Sequence, residues 1–199
     1  MGSGAERAPR LLLIDNVDSF TFMLANTLRQ VGARVTVERR DKVGVDHALG
    51  NAFDGVVISP GPGRPEDAGV SVAIATACIA RRRPLLGVCL GHQAIALACG
   101  ARIERTPPVH GKIGPVRHDS TGLFEGLASP FEATRYHSLG AVGVEPPLFA
   151  NAWSDDGCVM GLRHESAPVH GVQFHPESIG TEVGNAILAA FLRNIAKRA

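Results

Sequence analysis

Short apolar runs alternate with longer amphipathic stretches through the first half of the chain. Residues 11–15 form a continuous apolar run closed by Asp15, the pattern of a parallel strand buried on both faces. The next stretch sets Phe20, Met23, Leu24, Thr27, Leu28 and Val31 at helical spacing, with Asp18 or Ser19 placed to cap the helix and Gly32 to end it. Residues 34–38 alternate as a second strand, with Val35 and Val37 on one side. Residues 55–58 predict a third strand, ended by the SPGPG run at 59–63. A helical pattern over 70–83 stops at Pro84. A fourth strand over 84–88 then passes directly into a helix over 91–99, closed by Gly100. This β-α-β-α succession predicts a parallel sheet with helices on both faces.

After Gly100 the pattern changes. Residues 101–106, 113–118, 131–139 and 158–164 alternate between Pro and Gly turns, which predicts an antiparallel extension of the sheet. Residues 169–174 return as a core strand. Thr181 is placed to cap a last helix, whose Ile187, Leu188, Phe191, Leu192 and Ile195 make one apolar stripe. Residues 1–10 are polar and Gly-rich and read as a disordered lead, so residues 11–199 are predicted as one domain.

Composition narrows the functional classes. The 199 residues carry 20 Lys and Arg against 19 Asp and Glu, a net charge of +1. That lacks the basic excess of a nucleic-acid-binding protein. No apolar run approaches the ~18 residues of a membrane span, and no secretory signal is evident. The four cysteines, Cys78, Cys89, Cys99 and Cys158, form no CxxC pair and match no zinc spacing. Reduced thiols and a cytoplasmic location follow as expectations. Cys78 and Cys99 fall in apolar helical runs and read as small buried hydrophobes.

Cys89 stands apart. It is the centre of GVCLG over 87–91, a G-x-C-x-G sequence at a predicted strand-to-helix junction. Such an elbow strains the backbone of the central residue and lifts its side chain clear of the sheet. Glycines two residues to either side let neighbouring backbone approach. The position is a helix N-terminus, where the dipole favours a thiolate, and the Leu90 amide is free to bind an oxyanion. A base is available in VQFHPES over 172–178: His175 follows a predicted core strand and should emerge at the same sheet edge as Cys89. Pro176 holds the backbone extended, so His175 and Glu177 can face one cleft. A nucleophile, an acid/base and an orienting carboxylate would result. The glycine-rich loop Gly61, Pro62, Gly63 follows another core strand and could complete the oxyanion hole. No His or Cys pair has metal-ligand spacing on a shared element.

Six ordered motifs together resemble the class I glutamine amidotransferases, and among them the small glutaminase subunits of anthranilate synthase and aminodeoxychorismate synthase. They are LLIDN with DSFT over 12–21, ISPGPG over 58–63, LGVCLGHQAI over 86–95, HGK over 110–112, RYHSL over 135–139 and GVQFHPES over 171–178. The resemblance implies a flavodoxin-like α/β fold with a mostly parallel sheet. It implies that Cys89 attacks the side-chain amide of L-glutamine and that His175 protonates the leaving ammonia. Water would then hydrolyse a γ-glutamyl thioester, with Glu177 orienting His175. Gly61, Pro62, Gly63 and Leu90 would form the oxyanion hole; Gln93, Ser138 and Leu139 would hold the rest of glutamine. The ammonia would pass to a chorismate-binding partner subunit. Asp15, Asn16, His110, Gly111 and Lys112 are the candidates for the face that docks it. No cofactor is implied in this subunit.

The chain departs from the family pattern at Val17, usually aromatic, at Arg40, usually Asn, at Ile113 and Gly114, usually Thr-Ser, and at Gly180, usually Leu. These departures bear on the partner rather than on the chemistry. Residues 152–154 and 159–164 look slightly more like the folate-pathway version. A secondary-metabolite synthase that aminates chorismate is the alternative assignment. A stand-alone cysteine hydrolase would place its histidine next to the nucleophile, and His92 is three residues on. A non-catalytic regulatory domain would not need Cys89, His175 and Glu177 together.

Overall fold

The computed structural model describes residues 7–197. One nine-stranded sheet runs through the molecule. Its strands are β1 (Arg10–Asp15), β2 (Arg34–Arg39), β3 (Gly55–Ile58), β4 (Leu85–Val88), β5 (Arg102–His118), β6 (Phe131–Val142), β7 (Leu148–Ser154), β8 (Val159–His164) and β9 (Val169–Val172). They lie in the order β2-β1-β3-β4-β9-β8-β7-β5-β6. The five strands from β2 to β9 pair in parallel. From β9 onward every pairing is antiparallel. The predicted α/β fold, a parallel sheet with an antiparallel extension, is therefore observed, with the sheet mixed in equal parts: four parallel and four antiparallel pairings.

Alternate residues of the buried strands feed two cores, as a period of two requires. Leu11, Leu13, Val57, Leu86 and Val172 pack with α1 (Thr21–Gln30) and α5 (Gly184–Ala196) on one face. Leu12, Ile14, Val56, Ile58 and Leu85 pack with α3 (Ser71–Ala80) and α4 (Leu90–Ala98) on the other. The predicted stripe of α5 is buried from Ile187 to Ile195. A one-turn α2 (Val45–Ala48) completes the helices, too short for the sequence pattern to reveal.

Several local expectations are corrected. β1 starts at Arg10 and Arg7 pairs with Asp54 at 3.0 Å, both within the segment read as a lead, of which residues 1–6 lie outside the described residues. Neither helix cap is as predicted. Phe20 is the N-cap of α1 and Val183 that of α5, neither with a side-chain cap bond. Thr181 is used elsewhere: its Oγ1 donates to the His175 carbonyl at 2.8 Å and accepts from Thr134 N at 3.0 Å. The two strands predicted over 101–106 and 113–118 are one strand, β5. Pro107 and Pro108 sit within a register irregularity between Arg105 and Val109, where missing amides are tolerated. β7 was not predicted at all. Of the cysteines, Cys78 is buried, and burial pushes its thiol up to about 12. Cys99, at the C-cap of α4, is only half-buried.

Candidate active site

Strand register brings the predicted residues to one sheet edge. Ile58 lies opposite Gly87, and Val88 opposite Val172, so three chain segments leave the sheet side by side at its carboxyl end. These are the 59–63 loop, the Cys89 elbow and the segment from Gln173 to Glu177.

Cys89 has φ 52° and ψ −102°, a strained left-handed conformation for a residue with a side chain. The flanking glycines explain how the strain is sustained. A Cβ on Gly87 would lie 2.3 Å from the Gly91 carbonyl oxygen, and one on Gly91 would lie 2.3 Å from that of Ile58. Strand, elbow and helix are thus pressed together backbone to backbone. Cys89 N donates to the Val172 carbonyl at 2.8 Å, tying the elbow to the neighbouring strand. Leu90 opens α4 as its first residue, so its amide has no partner within the helix.

His175 and Glu177 are both buried. His175 Nδ1 and Glu177 Oε1 are 2.6 Å apart. The backbone of His175 is fixed by Thr134 O at 3.0 Å and by Thr181 Oγ1. Phe20 and Tyr136 meet its ring edge-on, with centroids 4.9 and 5.3 Å away. Its Nε2 makes no conventional hydrogen bond, and the Cys89 sulfur is the polar group beside it. Burial opposes the cationic form of His175. The Cys89 sulfur and the Glu177 carboxylate outweigh burial, as acceptors and as negative charge, and raise its pKa.

A cleft of about 190 Å³ opens over Cys89, lined by Gly61, Pro62, Gly63, Gln93, Tyr136, His137, Ser138 and Leu139. All the sequence-predicted substrate contacts except Leu90 line it. No charged side chain does. Gln93 Nε2 donates to the Leu139 carbonyl at 3.2 Å and to Gln173 Oε1 at 3.0 Å. Gln173 Nε2 in turn lies 3.6 Å from Cys89 Sγ. Sequence reasoning passed over Gln173 and His137, although both sit inside motifs it had singled out. A strand-end position at the same sheet edge as Cys89 is the signal that could have found Gln173.

The predicted docking residues divide. His110, Gly111 and Lys112 are exposed, in a bulged part of β5 rather than in a loop. His110 pairs with Tyr136, placing this segment one strand from the cleft. Asn16 is fully buried, so its side chain cannot meet a partner. It braces the glycine loop instead, donating from Nδ2 to the Ser59 carbonyl at 3.1 Å and accepting from Ser71 Oγ at 2.9 Å. Asp15 also turns inward, accepting from Val17 N at 2.9 Å and Thr21 Oγ1 at 2.8 Å. Ile113 and Gly180 prove to be neighbours. A Cβ on Gly180 would lie 2.6 Å from Ile113 Cδ1, so the bulk of Ile113 and the absence of a side chain at Gly180 compensate one another. Among the described residues no helix is long and apolar enough to cross a membrane.

The family model "Glutamine amidotransferase class-I" matches residues 12–195. An aminodeoxychorismate synthase of Streptomyces griseus is 53% identical over 194 residues, which are 95% of this chain and 26% of that protein. The chain thus spans about a quarter of that relative's length. Anthranilate synthase component 2 of Mycobacterium tuberculosis is 50% identical over 188 residues, covering 92% of this chain and 81% of that one. The crystal structure of a glutamine amidotransferase from Thermotoga maritima shares the fold, with a TM-score of 0.77 at 16% identity over 96% of this chain and 97% of that one.

Proposed function

The chain belongs to the class I glutamine amidotransferases, and we propose that it is the subunit that releases ammonia from L-glutamine for a chorismate-binding synthase partner. The observation that carries the chemistry is the buried 2.6 Å contact of His175 with Glu177, at the same sheet edge as the strained Cys89.

Cys89 Sγ attacks the side-chain amide carbon, and the carbonyl oxygen takes the negative charge. The Leu90 amide and backbone amides of the Gly61–Gly63 loop meet that oxygen. Donors fixed in advance in a water-poor site contribute strongly, each about 10²–10³ in rate. His175, whose proton affinity is raised by its neighbours, gives a proton to the departing nitrogen as the C–N bond breaks. Ammonia leaves, and a γ-glutamyl thioester remains on Cys89. His175, now neutral, takes a proton from water, and the resulting hydroxide displaces sulfur to give glutamate. Glu177 holds the imidazole in the tautomer with Nδ1–H towards itself and balances the cationic form. Gln93, Ser138 and Leu139 hold the remainder of the substrate. No step requires a cofactor or a metal.

The partner assignment draws on the relatives' names: two of them are a synthase and a synthase component, acting in aminodeoxychorismate and anthranilate formation respectively. The exposed segment at His110, Gly111 and Lys112, next to Tyr136 of the cleft, is the candidate docking surface. Reconstitution with each type of chorismate enzyme, reading the aromatic product formed from glutamine, tests the proposal. Product from glutamine that is lost in Cys89→Ser, while added ammonia still supports synthesis, is the result required. Failure of both partners to form product from glutamine would refute it. A non-catalytic regulatory role would leave glutamine unconsumed throughout.

A further inference from the structure

Ser59 follows β3 and opens the glycine loop, and it is fully buried. Every polar atom it carries is engaged. Its amide donates to the Ile14 carbonyl at 3.1 Å, and its carbonyl accepts from Asn16 Nδ2 at 3.1 Å. Its Oγ accepts from the Asn16 amide at 2.9 Å and donates to the Pro60 carbonyl at 2.6 Å. Asn16 is oriented in turn by Ser71, the first residue of α3, whose Oγ donates to Asn16 Oδ1 at 2.9 Å. Three of the Ser59 bonds tie the end of β1 to the end of β3. The bond from Ser59 Oγ to the Pro60 carbonyl does not: it reaches only the next residue and joins no two elements. Its consequence is local, because it fixes the plane of the peptide between Pro60 and Gly61.

That peptide is trans, so its N–H points opposite to its carbonyl. With the Pro60 carbonyl turned toward the buried Ser59 hydroxyl, the Gly61 N–H is turned away from it. Gly61 lines the cleft beside Cys89. Pro62 has no N–H, so Gly61 and Gly63 are the two amide donors this stretch can offer. We propose that Asn16 and Ser59 are positioning residues, holding the Pro60–Gly61 peptide so that the Gly61 N–H serves as the oxyanion donor opposite the Leu90 amide. This rests on Cys89 attacking the side-chain amide of glutamine. The bare Gly61 belongs to the same device. A Cβ there would lie 2.6 Å from Asn16 Cβ and would push the loop off the side chain that anchors it. A donor fixed before the substrate arrives needs no reorganisation as charge develops. The network therefore acts on the transition state rather than on substrate binding.

The test uses the chain with its synthase partner. It compares steady-state glutamine hydrolysis with the rate at which methyl methanethiosulfonate modifies Cys89. That reagent is attacked at sulfur and builds no oxyanion on carbon, so it reads the thiol alone. Ser59→Ala removes the hydroxyl and should lower kcat about ten-fold or more, with KM within about two-fold of wild type. Asn16→Asp can still accept from Ser71 but sets a carboxylate against the Ser59 carbonyl, and should lower kcat at least as far. Ser71→Ala, outside the cleft, removes only the outer bond and should lower kcat about two- to five-fold. Cys89 modification should stay within about two-fold of wild type in all three. A kcat within about two-fold of wild type in both Ser59→Ala and Asn16→Asp would overturn the inference, whatever the thermal unfolding midpoints do. So would a raised KM at constant kcat, or thiol modification slowed as much as kcat. A wild-type complex that consumes no glutamine would instead refute the substrate assignment, and this inference with it.

Discussion

Gly91 packs on Ile58 so closely that a Cβ would lie 2.3 Å from the Ile58 carbonyl oxygen. Gly87 stands in the same relation to Gly91. The obstructing atoms are backbone, which cannot swing aside. Gly91→Ala and Gly87→Ala should each destabilise the fold by about 3 kcal/mol or more, beyond the usual cost of overpacking. Thermal or urea unfolding measures this, and a loss under ~0.5 kcal/mol would contradict the packing described. Gly63→Ala, with nothing within 4 Å of its Cβ but a φ of +82°, should lose only about 1 kcal/mol.

Glu177 supports the cationic form of His175, so Glu177→Gln should lower the proton affinity of the ring. In the proposed mechanism that proton goes to the leaving nitrogen. The alkaline limb of the kcat profile should therefore move to lower pH in the variant, and kcat should fall on the order of 10²-fold or more. A pH-rate profile that keeps its alkaline limb in place would argue against this pairing.

Gln173 links Gln93 to Cys89 through contacts of 3.0 and 3.6 Å. Gln173→Leu removes both and leaves Gln93 with one partner. KM for glutamine should rise about ten-fold, the loss of one or two neutral hydrogen bonds. Gln173→Glu should fare worse, because it sets a carboxylate beside the Cys89 sulfur. Steady-state kinetics of both variants decide.

His92 is fully buried, and burial pushes its pKa down to about 3 from 6.5. The unfolded chain binds a proton at this residue below about pH 6.5, while the folded one does not until far lower. Its contribution therefore destabilises the fold as pH falls from 6.5 towards 3, by about 1.4 kcal/mol per unit. Between pH 6.5 and pH 5, wild type should lose about 2 kcal/mol relative to His92→Gln, read from urea midpoints. Parallel pH dependences in the two proteins would refute this.

Much of the site is legible in the sequence. Strand runs that end in Gly, Cys and His announce a shared carboxyl edge, because parallel strands joined by right-handed crossovers must end there together. The Gly-x-Cys-x-Gly spacing specified the elbow, since only glycine admits backbone contacts of that closeness. His175 and Glu177 were paired by their separation around Pro176. Asn16 was misassigned, because a motif records that a residue matters without recording which way it faces. The caps failed for a related reason: Thr181 has a cap's chemistry but finds better partners in Thr134 and the His175 backbone.

The sequence by itself determined the α/β class, the strand and helix succession up to Gly100 apart from the one-turn α2, and Cys89, His175 and Glu177 as candidate residues. These depend on local periodicity and on steric rules that act within a few residues. Only the tertiary structure decided that Val88 lies against Val172, and so that Gln173 reaches the Cys89 sulfur. It alone set the β6 segment from Tyr136 to Leu139 over the cleft. Such contacts join residues dozens of positions apart. Their register is fixed by the packing of whole layers, which no local pattern along the chain encodes.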